Sequence, residues 1–179
     1  MLKKQLVTLL SAVVALLLGG CQSTVHPPLA TVPAVDLKRY MGDWYVIASI
    51  PTFIEKGAHN PMESYRLDPD GTIAVTFTFR DGAFDGPPKK YTPRGFVRND
   101  PSNAIWGMQF IWPIKADFRI THLAEDYSQT IISRERRDYV WIMARNPVIP
   151  ETEYQALLKI AAAQGYDMSK LQKAPQQWK

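Results

Sequence analysis

Residues 42–145 are cut into short β-prone runs by turn-forming clusters, and a chain punctuated in this way can hold itself together only as sheet. The candidate strands are 43–50, 62–67, 72–80, 91–98, 104–110, 117–123, 129–134 and 139–145. In TIAVTFTF, residues 72–79, Ile73, Val75, Phe77 and Phe79 alternate with Thr72, Ala74, Thr76 and Thr78. A period of two marks a strand with two unlike faces. DPDG at 68–71 and NDPSN at 99–103 carry turn chemistry. Short strands at regular spacing predict an all-β sandwich or barrel. One helix follows, in NPVIPETEYQALLKIAAAQG. Pro150 fits its first turn, Glu151 and Glu153 its positive end, and Gly165 its stop. Tyr154, Leu157, Leu158 and Ala161 share one face, which must pack on the outside of the sheet. The terminal KLQKAPQQWK either adds a short edge strand at 170–172 or trails free.

The first twenty residues have another logic. MLKK is a positive start, residues 6–18 are almost wholly apolar, and Gly19, Gly20 and Cys21 follow. That order describes a secretory signal. The apolar run is shorter than the roughly 20 residues a membrane helix needs. Cys21 is the only cysteine, which excludes an intramolecular disulfide. QSTVHPPLATVPAV, with three prolines and no charge, reads as an extended tether of about 3.1 Å per residue. The expected division is a signal at 1–20, a tether at 21–35 and a folded domain at 36–179. Every Phe, Tyr and Trp lies after position 39.

Loss of Lys3 and Lys4 from the 21 Lys and Arg leaves 19 against 17 Asp and Glu, which is no nucleic-acid footprint. Catalytic signatures are missing too: no G-x-S-x-G, no phosphate loop and no cysteine beyond Cys21. His26, His59 and His122 lack metal-ligand spacing. The expectation is a binding protein, not an enzyme, with no cofactor and no metal.

Three motifs add a resemblance. LGGC resembles the lipobox of bacterial lipoproteins, although an ordinary signal peptide with a stray cysteine would read alike. GDW, at Gly42, Asp43 and Trp44, resembles the G-x-W motif of lipocalins. DYVWIMARNP places Arg145 where lipocalins carry an arginine over that tryptophan, and EDY at 125–127 loosely resembles their Thr-Asp-Tyr turn. Together with the tether and helix, these look like the bacterial outer-membrane lipocalins, with apolipoprotein D as the animal relative. The resemblance implies an eight-stranded antiparallel up-and-down β-barrel with one C-terminal α-helix packed outside. It implies a diacylglycerol on Cys21 and an acyl chain such as palmitate on its amine. Gln22, not an aspartate, favours the outer membrane, with the domain facing the periplasm.

Within that barrel, Gly42, Trp44 and Arg145 would form the base, Arg145 contributing a cation–π contact of about 0.5–2 kcal/mol. Val46, Ala48 and Ile50 would face inward with Trp44. Tyr65 and Trp141 match cavity positions of the family, and Tyr139 and Met143 share a face with Trp141. Phe77, Trp106, Met108, Phe110 and Phe118 are further ligand-binding candidates, each with ordinary wall packing as its alternative. The implied partner is a small hydrophobic ligand, a fatty acid or lysophospholipid, held with its head group at the mouth. The loops at 68–71, 99–103 and 124–128 carry only acidic charge, while those at the mouth hold basic and apolar residues. Lys89, Lys90, Lys115, Arg136, Arg137 and Trp112 are therefore expected to meet lipid head groups. The alternative for RERR is a solvated turn. Two rival functions stay open: an envelope interaction lipoprotein with an incidental cavity, and an enzyme on lipid substrates using His122 or Glu63. Oligomeric state is not legible.

Overall fold

The structure, a computed structural model, describes residues 26–178, so the signal segment and Cys21 lie outside the described residues. Strands β1 (Gly42–Ile50), β2 (Ala58–Leu67) and β3 (Thr72–Asp81) run antiparallel. The fourth wall position is split into β4 (Pro88–Tyr91) and β5 (Arg94–Val97). Then come β6 (Ile105–Ile111), β7 (Ile114–Leu123), β8 (Gln129–Ser133) and β9 (Val140–Ala144), which pairs back onto β1 and closes an eight-position antiparallel barrel. The split departs from the single strand expected at 91–98. Pro93 has no N–H to give to a ladder, and its carbonyl alone accepts from Val75 N at 3.2 Å. β4 pairs with β3 only, so the wall parts between β4 and β6.

A β-bulge in β1 corrects the expected lining. Val46 pairs with Met143 and Ala48 with Ile142, leaving Ile47 as the extra residue. Such an insertion reverses the facing of everything beyond it. Trp44 and Val46 pack in the barrel interior. Ile47, Ala48 and Ile50 pack outside with Tyr154 and Leu157 of the C-terminal helix. A four-residue helix α1, Leu37–Tyr40, precedes the barrel and has no counterpart in the sequence reading. The C-terminal helix, α2, is Glu151–Ala163.

The last residues do add a short edge strand, displaced from 170–172 to 172–173. Met168–Lys170 is a 3-10 turn, and β10 (Gln172–Lys173) pairs with Ala48 and Ser49 of β1. Beyond it, Gln176 Nε2 donates to Val46 O at 2.8 Å and Pro61 O at 3.2 Å, stapling β1 to β2 where their ladder has ended.

Residues 26–35 also differ from a free tether. They form a strap along the outer wall. Val32 N donates to Ile120 O at 3.0 Å and Val35 N to Ser102 O at 2.8 Å. Leu29 and Val35 are buried.

Candidate ligand-binding cavity

The floor is built first by α1. Asp36 caps it, its Oδ1 accepting from Lys38 N at 2.9 Å and Arg39 N at 3.2 Å. Tyr127 ties the cap down, its hydroxyl accepting from Asp36 N at 2.9 Å. The short helix delivers Tyr40 into the barrel, fully buried, with ring centroids 5.1 Å from Trp44, 5.8 Å from Tyr65 and 5.6 Å from Trp106. Gly42 then turns at φ +95°, and a Cβ there would come within 3.3 Å of Arg145 Nη1. Both the left-handed backbone and the close approach call for glycine.

Arg145 locks this floor from below. Its Cζ lies 3.8 Å from the Trp44 ring centroid. Nη1 donates to Asp43 O at 2.8 Å, and Nη2 to Arg39 O at 2.9 Å, Tyr40 O at 3.1 Å and Met41 O at 2.9 Å. Nε donates to Tyr127 O at 3.3 Å. One guanidinium therefore satisfies carbonyls from three consecutive residues that leave a short helix without continuing it, the orphan acceptors of a helix end. Trp44 is fully buried and its Nε1 donates to Tyr40 O at 2.9 Å.

Above the floor lies a cavity of about 360 Å³, within the roughly 300–1,000 Å³ that ligand pockets occupy. Phe77, Met108, Phe110, Phe118, Tyr139, Trp141 and Met143 line it. Two sequence candidates do not. Tyr65 and Trp106 are buried beneath it in the aromatic floor. Trp106 Nε1 finds Asn103 O at 2.7 Å, and its ring stacks on Phe118 at 5.0 Å. A buried indole goes where its N–H is satisfied, and here that is the bottom.

Polar groups in the cavity were not singled out as lining from the sequence. Glu63 shares the inward parity of Tyr65, whose hydroxyl donates to its carboxylate. Burial pushes the Glu63 carboxyl up to about 7, and the neighbouring Glu55 adds to the rise against the opposing Tyr65 hydrogen bond. Burial raises Tyr65 as well, with Glu63 contributing. Glu55, from the β1–β2 loop, accepts from Trp141 Nε1 at 2.7 Å and from Thr52 N at 2.7 Å. Arg134 borders the cavity near the β8–β9 loop, 3.4 Å from Asp138 and 5.2 Å above the Tyr139 ring.

The expected mouth cations divide. Arg136 is exposed and only 3.8 Å from Asp138. Lys89, half-exposed, pairs with Asp81 at 3.5 Å, and Lys90 is exposed on β4. Lys115 instead lies along the outer wall, its Nζ 3.5 Å from the Phe96 ring centroid. Arg137 is consumed internally, donating to Glu135 O at 2.6 Å, Gln164 O at 3.2 Å and Pro27 O at 2.5 Å. At the closed end, Arg66 and Arg94 pair with Asp68, and Arg94 also with Asp70. Arginines at the ends of β2 and β5 thus offset the acidic 68–71 loop. The apolar asymmetry holds: Phe53, Phe84, Phe110, Ile111, Trp112 and Ile114 are exposed at the mouth, Trp112 at 82%. Among the described residues, no group of His, Cys, Asp or Glu could hold a metal ion. His122 is held below the usual imidazole range by burial alone.

Known proteins share this architecture. A family profile described as a lipocalin-like domain matches residues 35–176. Temperature-induced lipocalin-1 of Arabidopsis thaliana is 32% identical over 169 residues, covering 86% of this chain and 86% of that protein. The outer membrane lipoprotein Blc of Citrobacter freundii is 30% identical over 168 residues, 88% and 89% of the two chains. Apolipoprotein D of Bos taurus is 28% identical over 163 residues, 86% and 81%. Insecticyanin from the tobacco hornworm Manduca sexta superimposes with a TM-score of 0.66 at 16% identity, over 83% of this chain and 85% of that one, a likeness of fold.

Proposed function

The chain belongs to the lipocalin family, and from that premise we propose that it binds and carries an acyl-chain lipid, a fatty acid or lysophospholipid, anchored to the outer membrane through acylated Cys21. The cavity carries this conclusion. It is walled by Phe77, Met108, Phe118 and Met143, floored by packed aromatic rings and open at one end. Each methylene buried there contributes about 0.8 kcal/mol. The tail enters first. Arg134 and Arg136 near the mouth would attract a ligand carboxylate or phosphate, whereas Glu63, hydrogen-bonded to Tyr65 of the floor, offers no cation to one. The bacterial relatives named outer membrane lipoproteins, together with the cysteine that ends the apolar run, support the anchor and the location.

Trp141 lines the cavity and reports occupancy. Titrating the unlipidated domain with lysophospholipid or fatty acid should change tryptophan emission saturably near one equivalent. Absence of a saturable change with both lipids would remove the carrier function and favour an envelope interaction role.

A further inference from the structure

We propose that the N-terminal strap and the apolar rim together seat this barrel mouth-down on the bilayer that holds its anchor. The inference rests on acylation of Cys21, the anchor proposed above. Its substance is where the strap begins. Arg137, in the β8–β9 loop at the mouth, donates to Pro27 O at 2.5 Å. Glu135 of the same loop accepts from Leu29 N at 3.2 Å. Glu135 is itself fixed, 2.8 Å from Arg119 and receiving Arg137 at 3.4 Å. Arg119 is braced in turn by Asp117 at 3.0 Å. His26 lies over Gly165 beyond the end of α2, so close that a Cβ there would stand 2.8 Å from its Nδ1. The strap then descends the wall to Ser102 at the closed end. Its first described residue is therefore clamped at the mouth.

Chain length decides the orientation. Five residue steps separate Cys21 from His26, and a fully extended chain spans at most about 3.3–3.6 Å per residue, or about 18 Å. β1 has nine residues. At about 3.3 Å each and a tilt of about 35–45°, the wall is about 21–24 Å tall before its loops are counted. An anchor tied at the mouth cannot reach past the closed end, so the bilayer must lie on the mouth side or flank.

The rim selects between those two. Of eight exposed large apolar side chains among the described residues, six stand at the mouth: Phe53, Phe84, Phe110, Ile111, Trp112 and Ile114. The β6–β7 hairpin alone presents Ile111 at 72%, Trp112 at 82% and Ile114 at 67% exposure. A patch of this kind on a monomer marks a surface meant to be covered, and Trp with Ile suits the membrane interface. The occupant is the phospholipid bilayer, because the anchor brings it to this end.

Fluorescence depth quenching tests the seating. Lipidated full-length protein is reconstituted into phosphatidylethanolamine–phosphatidylglycerol vesicles with brominated acyl chains. The Cys21 sulfur is consumed by its lipid, so Asp85→Cys at the mouth or Asp70→Cys at the closed end supplies the single free thiol for a fluorophore. Quenching at 85 and none at 70 is expected, and Ile111→Ser with Trp112→Ser should reduce the signal at 85. Equal quenching, or stronger quenching at 70, overturns the seating. So does disulfide coupling of Asp85→Cys copies into dimers, which would make the rim a self-association face. Intact mass of the extracted protein separates the two failures. Missing acyl mass removes the anchor, reversed quenching with the acyl mass present removes the orientation alone, and neither outcome alters the tryptophan titration.

Discussion

Glu63 makes the interior sensitive to pH, and the sign can be worked through. Its carboxyl rises from the ordinary 4.5 to about 7 in the folded barrel, chiefly through burial. Between those values the native state holds a proton that the unfolded chain has released, so stability falls as pH rises. The contribution is whole below about 4.5 and lost above about 7. At about 1.4 kcal/mol per pH unit, the full shift is an upper bound of about 3 kcal/mol. The carboxylate borders an open cavity, and solvent there screens part of it, leaving about 1–2 kcal/mol. Urea unfolding at intervals from pH 4.5 to 8 measures the slope in the wild type and in Glu63→Gln. The substituted amide would keep an oxygen to accept from the Tyr65 hydroxyl and would not titrate. The wild type should lose about 1–2 kcal/mol more than the variant across this range. Parallel profiles would refute the assignment of a proton to this carboxyl. The profiles are taken without ligand, because a bound lipid adds a stabilisation of its own.

Two further substitutions probe the frame. Arg145→Ala removes a cation–π contact and the donors to five carbonyls, and should cost about 3 kcal/mol in urea unfolding, with Arg145→Lys recovering only part because an ammonium cannot fork to them. Gly165→Ala forces a side chain into a left-handed residue and into His26, so it should cost about 1 kcal/mol and speed hydrogen exchange at the Val32 and Val35 amides, while barrel amides stay protected.

The base of the barrel was legible because its determinants are chemically singular. A glycine two residues before a tryptophan, and an arginine ending the last strand, each have few other uses. The alternation in 72–79 likewise reports one straight strand. What escaped the sequence came from residues that break a simple period. The bulge at Ile47 turns Ala48 and Ile50 outward, though alternation from Trp44 points them in. Trp106 carries a cavity-like parity, but its N–H draws it to Asn103 at the floor. Glu63 could have been recognised as lining: placing Tyr65 inward places Glu63 inward too, yet a glutamate between Met62 and Ser64 reads as a solvent-facing position. Arg136 and Arg137 are adjacent in RERR and indistinguishable by composition. The strap, which looks like a linker by its prolines, and the end of α2 together explain why Arg137 is buried and Arg136 is exposed.

The two ends of the barrel impose one route on any ligand. At the bottom, Tyr40, Trp44, Tyr65 and Trp106 are buried against one another, Trp106 edge-on to Tyr40 and Tyr65, and sealed by Arg145, and no acyl chain can pass without unpacking them. Exchange must go through the mouth. If that mouth opened to water, a leaving chain would forfeit about 0.8 kcal/mol for each methylene exposed, so about twelve methylenes would raise a barrier of about 10 kcal/mol. A mouth seated in the interface lets the chain slide from aromatic wall to hydrocarbon with its head group near Arg134 and Arg136 throughout, and most of that barrier disappears. Loading rate should therefore depend on the rim far more than affinity does. In stopped-flow transfer from vesicles, Ile111→Ser with Trp112→Ser should slow loading while leaving the equilibrium titration nearly unchanged, and an equal loss in both would mean that the rim acts only as cavity wall.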